Sequence, residues 1–180
     1  MANIDRMFII TGGPGSGKTS LIEALASLGL KHMPESGRLI IKDQVTIGGN
    51  ALPWSDRLAF AELMFSREMR SYREAQAVSG PVIFDRGIPD VAGYLRLIGF
   101  SVPPYIEHAT RAFRYHRRVF IAPPWPAIFA RDTERKQSIE EAEATYNSMV
   151  DVYSGLGYEL LSLPKVTVQE RAQFVLENIG

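Results

Sequence analysis

The chain has 180 residues, of which 46% are hydrophobic, and its 20 basic residues balance 20 acidic ones. This length suits one domain with a sizeable core, and we expect residues 1–180 to form it. A net charge of zero gives no field over the whole molecule that would attract nucleic acid or an anionic membrane. The absence of cysteine excludes disulfides, thiolate metal sites and a thiol nucleophile.

The first residues match neither a secretory signal nor a membrane span. Asp5 is acidic, and the apolar run 7–10 that follows is shorter than either kind of segment requires. We therefore expect a cytoplasmic protein.

Apolar strand-like runs alternate with helical patterns, which predicts an α/β domain with a mainly parallel five-stranded sheet covered on both faces. The expected strands are 7–11, 30–33, 82–85, 119–122 and 158–163. Helices are expected after residue 17, from residue 55 or 56 to 78, at 88–97, at 105–114, from 126, and after the capping boxes Ser138–Glu141 and Thr167–Glu170.

Two apolar patterns and one connection complete this outline. The helical spacing predicts a buried face with Leu21, Leu25 and Leu28 on the first helix, and one with Leu58, Ala61, Met64 and Phe65 on the long helix. Residues 44–53 have no sustained period and include two adjacent glycines, so they predict a mobile connection that would act as a lid.

Residues 12–20 read Gly-Gly-Pro-Gly-Ser-Gly-Lys-Thr-Ser and lie between a strand-like run and a helical one. This is the pattern G-x-x-x-x-G-K-[ST] in the context that a phosphate-binding loop requires. Its glycines let several backbone N–H groups point into one concavity, and the next helix adds the positive end of its dipole. The predicted contacts to ATP are Gly12, Gly13, Pro14, Gly15, Ser16, Gly17, Lys18, Thr19 and Ser20; the alternative is a glycine-rich turn that binds nothing.

Three side chains have specific predicted roles around a magnesium nucleotide. Lys18 would reach the β and γ phosphates, and the Thr19 hydroxyl would ligate Mg²⁺. Asp85 ends the apolar run 82–84 in a Walker B pattern, so its carboxylate would hold a water of the magnesium shell. A helix-capping role is the alternative for Asp85. The expected cofactors are ATP and Mg²⁺.

Arginines and a glutamate are the other candidates for catalysis. Arg86, next to the Walker B carboxylate, would grip an anionic oxygen. Arg131 and Arg135 lie four residues apart and would close onto the nucleotide phosphates as a lid, or else form a salt-bridged surface. Glu35 would accept a proton from a substrate hydroxyl, or cap the helical piece after it. Arg38 would hold an anionic part of that substrate, or lie on a solvated helix face.

Aromatic and basic groups elsewhere indicate less specific roles. Trp54, Phe60, Phe65 and Trp125 would stack on a base, although aromatic residues at helical spacing more often belong to the core. The basic cluster Arg111, Arg114, His116, Arg117 and Arg118 marks a helix end and a strand entry, where cations suit the helix dipole, rather than a nucleic-acid surface.

The chain resembles a known family over essentially its whole length. The similarity rests on the glycine-rich loop, Pro34-Glu35-Ser36, Phe84-Asp85-Arg86-Gly87 with Asp90 and Tyr94, Tyr115 through Pro123-Pro124-Trp125, Asp132-x-x-Arg135, and the ending from Gly157-Tyr158 to Leu163-Pro164 with Gln169-Glu170-Arg171. These motifs are similar to those of a small bacterial P-loop group of AAA-type ATPases and predicted kinases. That group is similar to the kinase domain of the bifunctional ribosylnicotinamide kinase and regulator of NAD biosynthesis, and more distantly to thymidylate and deoxynucleoside kinases.

The resemblance implies a three-layer P-loop NTPase fold with the kinase strand order 2-3-1-4-5 and a preference for adenine. In thymidylate kinases an Asp-Arg pair after strand three serves the acceptor phosphate, and Asp85-Arg86 matches it. In deoxynucleoside kinases a glutamate after strand two is the base, and Glu35 matches it. Gly87 replaces the aromatic residue or serine that is common there, so the substrates of those relatives do not carry over.

Two functions fit these motifs. The first is a kinase that transfers the γ-phosphoryl group of MgATP to a small metabolite, such as a nucleoside or nucleotide. Lys18, Arg86 and Arg135 would stabilise the transferred group, and Glu35 or Asp85 would position the acceptor. The second is a nucleotide-dependent switch or ATPase that acts on a macromolecular partner. The acceptor-side Asp-Arg pair favours the kinase, whose expected partners are a nucleotide and a small-molecule acceptor, with neither nucleic acid nor a membrane.

Overall fold

The computed structural model describes residues 4–129 and 138–180, and within them a single sheet organises the fold. Its strands are β1 (Met7–Gly12), β2 (Lys31–Met33), β3 (Val82–Asp85), β4 (Arg118–Ala122) and β5 (Glu159–Ser162). Their order is β2-β3-β1-β4-β5, and every neighbouring pair is parallel. The predicted α/β class and strand order are therefore confirmed.

Helices connect these strands and cover the sheet. They are α1 (Lys18–Ser27), α2 (Ser36–Ile47), α3 (Arg57–Gln76), α4 (Ile88–Leu97), α5 (Pro104–Ala112), α6 (Pro126–Phe129), α7 (Ile139–Gly155) and α8 (Val168–Ile179). Both predicted capping boxes are present, at Ser138 before α7 and at Thr167 before α8. No helix in the described ranges has the length and apolar character needed to cross a bilayer.

The central strand β1 is buried on both faces of the sheet. Met7 and Ile9 belong to one apolar cluster, and Phe8 and Ile10 belong to the cluster on the opposite face. This division follows from the two-residue period of a strand. Burial on both sides explains why β1, β3 and most of β4 read as continuous apolar runs, whereas the edge strands β2 and β5 are more polar and more exposed.

The register of the sheet brings its functional segments to one edge. Ile10 of β1 lies opposite Asp85 of β3, and Met33 of β2 lies opposite Phe84. Because all strands are parallel, the residues that follow β1, β2 and β3 emerge together at the carboxyl edge. The glycine-rich loop, Glu35 and Arg86 therefore start from neighbouring positions.

Three details differ from the expectations. Residues 44–47 form the last turn of α2 instead of an irregular connection, and the helix ends at Gly48, whose φ is 68°. The period was obscured there because Val45 and Ile47 are apolar yet exposed. Leu28 and Leu58 are 59% and 45% exposed rather than buried, since Leu28 caps the end of α1 and Leu58 lies in the first turn of α3.

Candidate active site

The loop between β1 and α1 forms a cradle of backbone groups. Gly17 adopts the left-handed conformation before Lys18 starts α1, and no side chain caps the first N–H groups of this helix. A Cβ on Gly12 would lie 2.4 Å from the backbone oxygen of Ala122, and one on Gly13 would lie 2.3 Å from that of Ala142. Glycine is therefore required here, and the uncapped N–H groups suit a polyphosphate.

Lys18 is the buried cation of this loop, with 7% of its surface exposed. Burial, and next the positive charge of Arg86, lower the pKa of Lys18 to about 8 against the opposing effect of nearby carboxylates. A desolvated ammonium group gains stability from an anion, so the site fits the phosphates of a nucleotide. Of the other loop residues, Thr19 is half-buried, Ser20 is exposed, and the Ser16 hydroxyl donates to the Gly13 carbonyl over 2.8 Å.

Asp85 lies beside this cradle at the end of β3 and is 8% exposed. Burial raises the pKa of its carboxyl, while Lys18 acts in the opposite direction. Its Oδ1 atom is buried without a hydrogen-bond partner in the described part of the chain. A buried carboxylate oxygen that has no hydrogen-bond partner among these residues fits the oxygen ligands and waters that Mg²⁺ prefers. Asp85 is not the N-cap residue of α4, because Gly87 occupies that position and donates its N–H to Asp90 over 2.8 Å.

Arg86 has a strained backbone that directs its side chain across the site. Its φ is 74°, which costs about 1–3 kcal/mol in a residue other than glycine. The Arg86 N–H donates to the Ile10 carbonyl over 3.1 Å, and its guanidinium forms 3.3 Å ion pairs with Glu35 and Asp90. These contacts hold the guanidinium between two carboxylates, and the pKa of Arg86 is raised because they outweigh the effect of burial.

Glu35 faces the site rather than the helix it precedes. It occupies the position before α2, yet its side chain makes no capping hydrogen bond. Its carboxylate instead lies 3.3 Å from Arg86 Nε and 3.1 Å from Arg38 Nε. Burial alone would raise the pKa of Glu35, but Arg86, Lys18 and Arg38 outweigh it and hold that pKa below its ordinary value. The carboxylate is therefore ionised at neutral pH and able to accept a proton.

Asp90 organises this cluster, although the sequence marked it only through the family resemblance. It accepts hydrogen bonds from the hydroxyls of Thr11 and Tyr153, from the Gly87 N–H and from Arg86 Nη1. With both oxygens occupied, it links β1, α4 and α7 beneath the site. Its partners are distant in sequence, so no local pattern reveals this role.

One cavity of about 470 Å³ joins the glycine-rich loop to the Glu35–Arg86 pair and continues between α2, α3 and α4. Phe60 and Tyr94 form an edge-to-face pair in its wall, with ring centroids 5.6 Å apart. Of the other predicted stacking residues, Phe65 packs in the core, Trp54 is 61% exposed, and Trp125 lies in the region of the loop rather than in this wall.

Glu68 is a further carboxyl in the cavity, beside Glu35 and Asp90, and it was not predicted from the sequence. It is 4% exposed and accepts a hydrogen bond from the Ser36 hydroxyl. Burial raises the pKa of Glu68 to about 8, although the Ser36 hydrogen bond acts the other way. The sequence did contain a signal, because Phe60, Met64 and Glu68 recur every four residues and an acidic group on an apolar helix face is unusual.

Arg171 of α8 supports the glycine-rich loop from behind, a role that the sequence did not predict, although the family resemblance included this residue. Its Nη1 donates to the Ser16 carbonyl over 2.8 Å, and its Nε donates to the Pro164 carbonyl over 2.9 Å. The guanidinium carbon lies 5.2 Å from the centroid of the Trp125 ring. A Cβ on Gly17 would lie 2.8 Å from Arg171 Nη1, so the guanidinium and the loop are in close contact.

The remaining candidates from the sequence are Arg131, Arg135 and the basic cluster. Arg131 and Arg135 are outside the described residues. In the basic cluster, Arg114 donates to the Leu156 carbonyl over 3.1 Å, and Arg117 and Arg118 each lie 3.8 Å from the Glu159 carboxylate. These side chains therefore have partners within the chain.

A family model described as an AAA domain matches residues 7–171. No curated protein sequence matches the chain.

Solved structures match the fold. Deoxyadenosine kinase from M. mycoides with bound dATP has a TM-score of 0.60 and 14% identity, over 97% of this chain and 98% of that one. Thymidylate kinase from Candida albicans has a TM-score of 0.65 and 12% identity, over 97% and 90%. NadR in complex with NR has a TM-score of 0.68 and 14% identity, and the chain spans 98% of its own length but only 50% of that chain. These matches show that the chain has the fold of these proteins.

Proposed function

The protein belongs to the AAA domain family, and we propose that it is a kinase that transfers the γ-phosphoryl group of MgATP to a small metabolite, such as a nucleoside or nucleotide. The observation that carries this proposal is the single cavity that contains both the glycine-rich loop and the Glu35–Arg86 pair. An enzyme that used only water would need no chamber of this kind beyond its nucleotide site. The fold shared with deoxyadenosine kinase and thymidylate kinase also supports a phosphotransferase.

In this proposal, residues 12–20 bind the phosphates of ATP through backbone N–H groups and the Lys18 ammonium. Thr19 and Asp85 hold Mg²⁺, which neutralises charge on the nucleotide when it is bound. Arg131 and Arg135, beyond the described residues, are proposed to close over the phosphates.

The transfer itself depends on positioning and on charge. Glu35 orients the acceptor hydroxyl and takes its proton as the hydroxyl oxygen forms a bond to the γ phosphorus. The bond between that phosphorus and the bridging oxygen of ADP breaks, so ADP carries away the electron pair. Lys18 and Arg86 stabilise the negative charge on the transferring group.

The test is ADP release from MgATP with and without each member of a panel of nucleosides, nucleotides and other hydroxylated metabolites. We expect at least one acceptor to raise ADP release at least tenfold and to appear as a phosphorylated product by mass spectrometry. Lys18→Ala should abolish this release, whereas Lys165→Ala, a change at an exposed lysine, should retain it. Equal ADP release with and without every acceptor would instead favour the ATPase or switch.

A further inference from the structure

The residues that line the cavity indicate which class of acceptor the protein binds. This inference rests on the proposed function. Among the described residues that line the cavity, the basic side chains are Lys18, Arg38 and Arg86. Both arginines are already paired with Glu35, and Arg86 is also paired with Asp90. Lys18 belongs to the phosphate-binding loop. Lys18 and Arg86 are the cations that the proposed function assigns to the transferring phosphoryl group, and Arg38 is paired with Glu35. This lining therefore offers no further cation to an acceptor phosphate, which favours an uncharged acceptor over a phosphorylated one.

The walls of the same region suit a flat ring. Phe60 and Tyr94 present an aromatic corner, and Gly37 lies nearby without a side chain. A Cβ on Gly37 would lie 3.5 Å from Phe60 Cζ and 4.0 Å from Glu35 Oε1. Phe60 in the aromatic wall and Glu35, the proposed base, are thus both within contact distance of the Gly37 position. A molecule that packs a ring on Phe60 can present a hydroxyl to Glu35.

Polar groups without protein partners are available to this ring. The Tyr94 hydroxyl is buried and has no hydrogen-bond partner in residues 4–129 and 138–180. The Ser36 hydroxyl donates a hydrogen bond to Oε1 of Glu68, and none of the described residues donates one to Oε2. Glu68 lies on the cavity wall with Phe60 and Tyr94. Buried polar groups are normally satisfied, so a bound ligand would complete the hydrogen bonding here.

The protonation state of Glu68 decides whether its carboxyl can donate a hydrogen bond to a ligand. Its pKa of about 8 means that the carboxyl is mostly neutral at pH 7. The charged groups that face it are Asp90 and Asp85, which favour the neutral form, and Arg86, which opposes it. A neutral carboxyl whose Oε1 is bonded to Ser36 has an O–H left to donate from Oε2.

We propose that Phe60, Met64, Glu68 and Tyr94, here called the ring chamber, hold the uncharged heteroaromatic ring of the acceptor. The protonated Glu68 carboxyl donates a hydrogen bond to a carbonyl oxygen or ring nitrogen on the edge of that ring, and the Tyr94 hydroxyl bonds to a second polar atom. The acceptor is therefore a neutral, nucleoside-like alcohol rather than a nucleoside monophosphate.

Calorimetry tests binding separately from chemistry. The probes are adenosine, guanosine, cytidine, uridine and thymidine, their 5′-monophosphates, and ribose, each with a non-hydrolysable ATP analogue and Mg²⁺. We expect at least one nucleoside to bind at least tenfold more tightly than both its monophosphate and ribose. Monophosphates that bind as tightly as the nucleosides, or no nucleoside that exceeds ribose, would overturn the proposal.

Variants of Glu68 test the hydrogen bond, after circular dichroism has established that each is folded. Glu68→Leu should weaken nucleoside binding about tenfold, the usual effect of one lost hydrogen bond, whereas Glu68→Gln should lose less than threefold because its amide still donates. Glu74→Gln, an exposed change on the same helix, is the matched control. Equal losses in the leucine and glutamine variants, or none in the leucine variant, would contradict the assigned hydrogen bond.

A pH series adds a readout that a purely structural role does not produce. Nucleoside affinity of the unmodified protein should fall by about tenfold in total as the pH rises above 8 and Glu68 loses its proton, and that of Glu68→Gln should not fall in this way. Lys18 titrates in the same range, but it is present in both proteins and cancels in the comparison. Parallel pH profiles would contradict the inference. Nucleoside binding without acceptor-dependent ADP release would contradict the kinase function but not the ring chamber. Efficient phosphorylation of ribose would contradict the ring chamber but not the kinase function.

Discussion

The Oε1 atom of Glu35 lies 3.3 Å from Nε of Arg86, although 51 positions separate the two residues in the chain. The contact exists because β2 and β3 are neighbours and both end at the carboxyl edge of the sheet. Arg86 thereby keeps Glu35 ionised beside the phosphate-binding loop. In the proposed function, Glu35 would accept the proton of an alcohol and Arg86 would neutralise charge on the transferring group.

Glu35→Gln should lower kcat for acceptor phosphorylation by about 10²–10⁴, because an amide cannot accept the hydroxyl proton. Binding of MgATP, measured by calorimetry, should be retained. Asp43→Asn is the control, since it removes an exposed carboxylate on α2 that pairs with Arg67 away from the loop. A glutamine variant with more than half of the original kcat would exclude Glu35 as the base.

Lys18 should couple nucleotide binding to proton uptake. Its pKa is about 8 in the free protein, and the phosphates of a bound nucleotide favour the charged ammonium, so that pKa rises on binding. Affinity for MgATP should therefore decrease as pH rises above 8. Calorimetry at pH 8 in two buffers of different ionisation enthalpy should detect the uptake of a fraction of a proton.

Lys18→Arg provides the control for this coupling, since its guanidinium stays charged throughout the range. Glu68→Gln should serve as the common background, so that the Glu68 proton does not contribute. Equal proton uptake in the lysine and arginine proteins would mean that Lys18 is not the titrating group.

Glu68 should make the folded protein less stable at alkaline pH. Its pKa rises from 4.5 to about 8 on folding, so the folded state retains a proton that the unfolded chain has lost. Stability should fall between these two values, by roughly 5 kcal/mol at most once pH exceeds 8. Glu68→Gln removes this titration and should gain free energy of unfolding at pH 9 relative to pH 5.

Urea unfolding at the two pH values measures this effect, with Glu74→Gln as the control for an exposed glutamate on α3. A Glu68→Gln difference that is the same at pH 5 and pH 9 would contradict the raised pKa.

Sequence patterns were sufficient for the parts of the site that are local in the chain. The loop at 12–20 and the capping boxes depend on residues a few positions apart, and the strand order followed from the family resemblance. The hydrogen bond of Thr11 to Asp90 spans 79 positions, and that of Arg171 to Ser16 spans 155. Such contacts depend on how the sheet brings distant segments together, so no spacing rule reveals them.

The missed role of Glu68 and the misjudged end of α2 have a related cause. Both depend on which face of a helix is covered, and this is set by tertiary packing. Glu68 lies on a covered face of α3 despite its charge, and Val45 and Ile47 lie on an uncovered face of α2 despite their apolar side chains. Composition alone suggests the opposite in each case.

Arg171→Met should weaken both the fold and nucleotide binding. The change removes the hydrogen bonds to the Ser16 and Pro164 carbonyls, at a cost of roughly 2–4 kcal/mol in unfolding free energy. A displaced Ser16 carbonyl should also lower MgATP affinity about tenfold, because the loop geometry sets the phosphate contacts. Arg111→Met, an exposed change in α5, should affect neither urea unfolding nor calorimetric affinity. Unchanged values for the Arg171 variant would show that the loop does not depend on this arginine.

In the proposed function, this site transfers the γ-phosphoryl group of ATP to an alcohol rather than to water. The most direct measurement follows ATP labelled at the γ phosphorus through a single turnover with the acceptor found in the panel. We expect most of the label to be recovered on the acceptor, and we expect Glu35→Gln to reduce this transfer. Recovery of the label only as inorganic phosphate, at the same rate with and without acceptor, would contradict the proposed function.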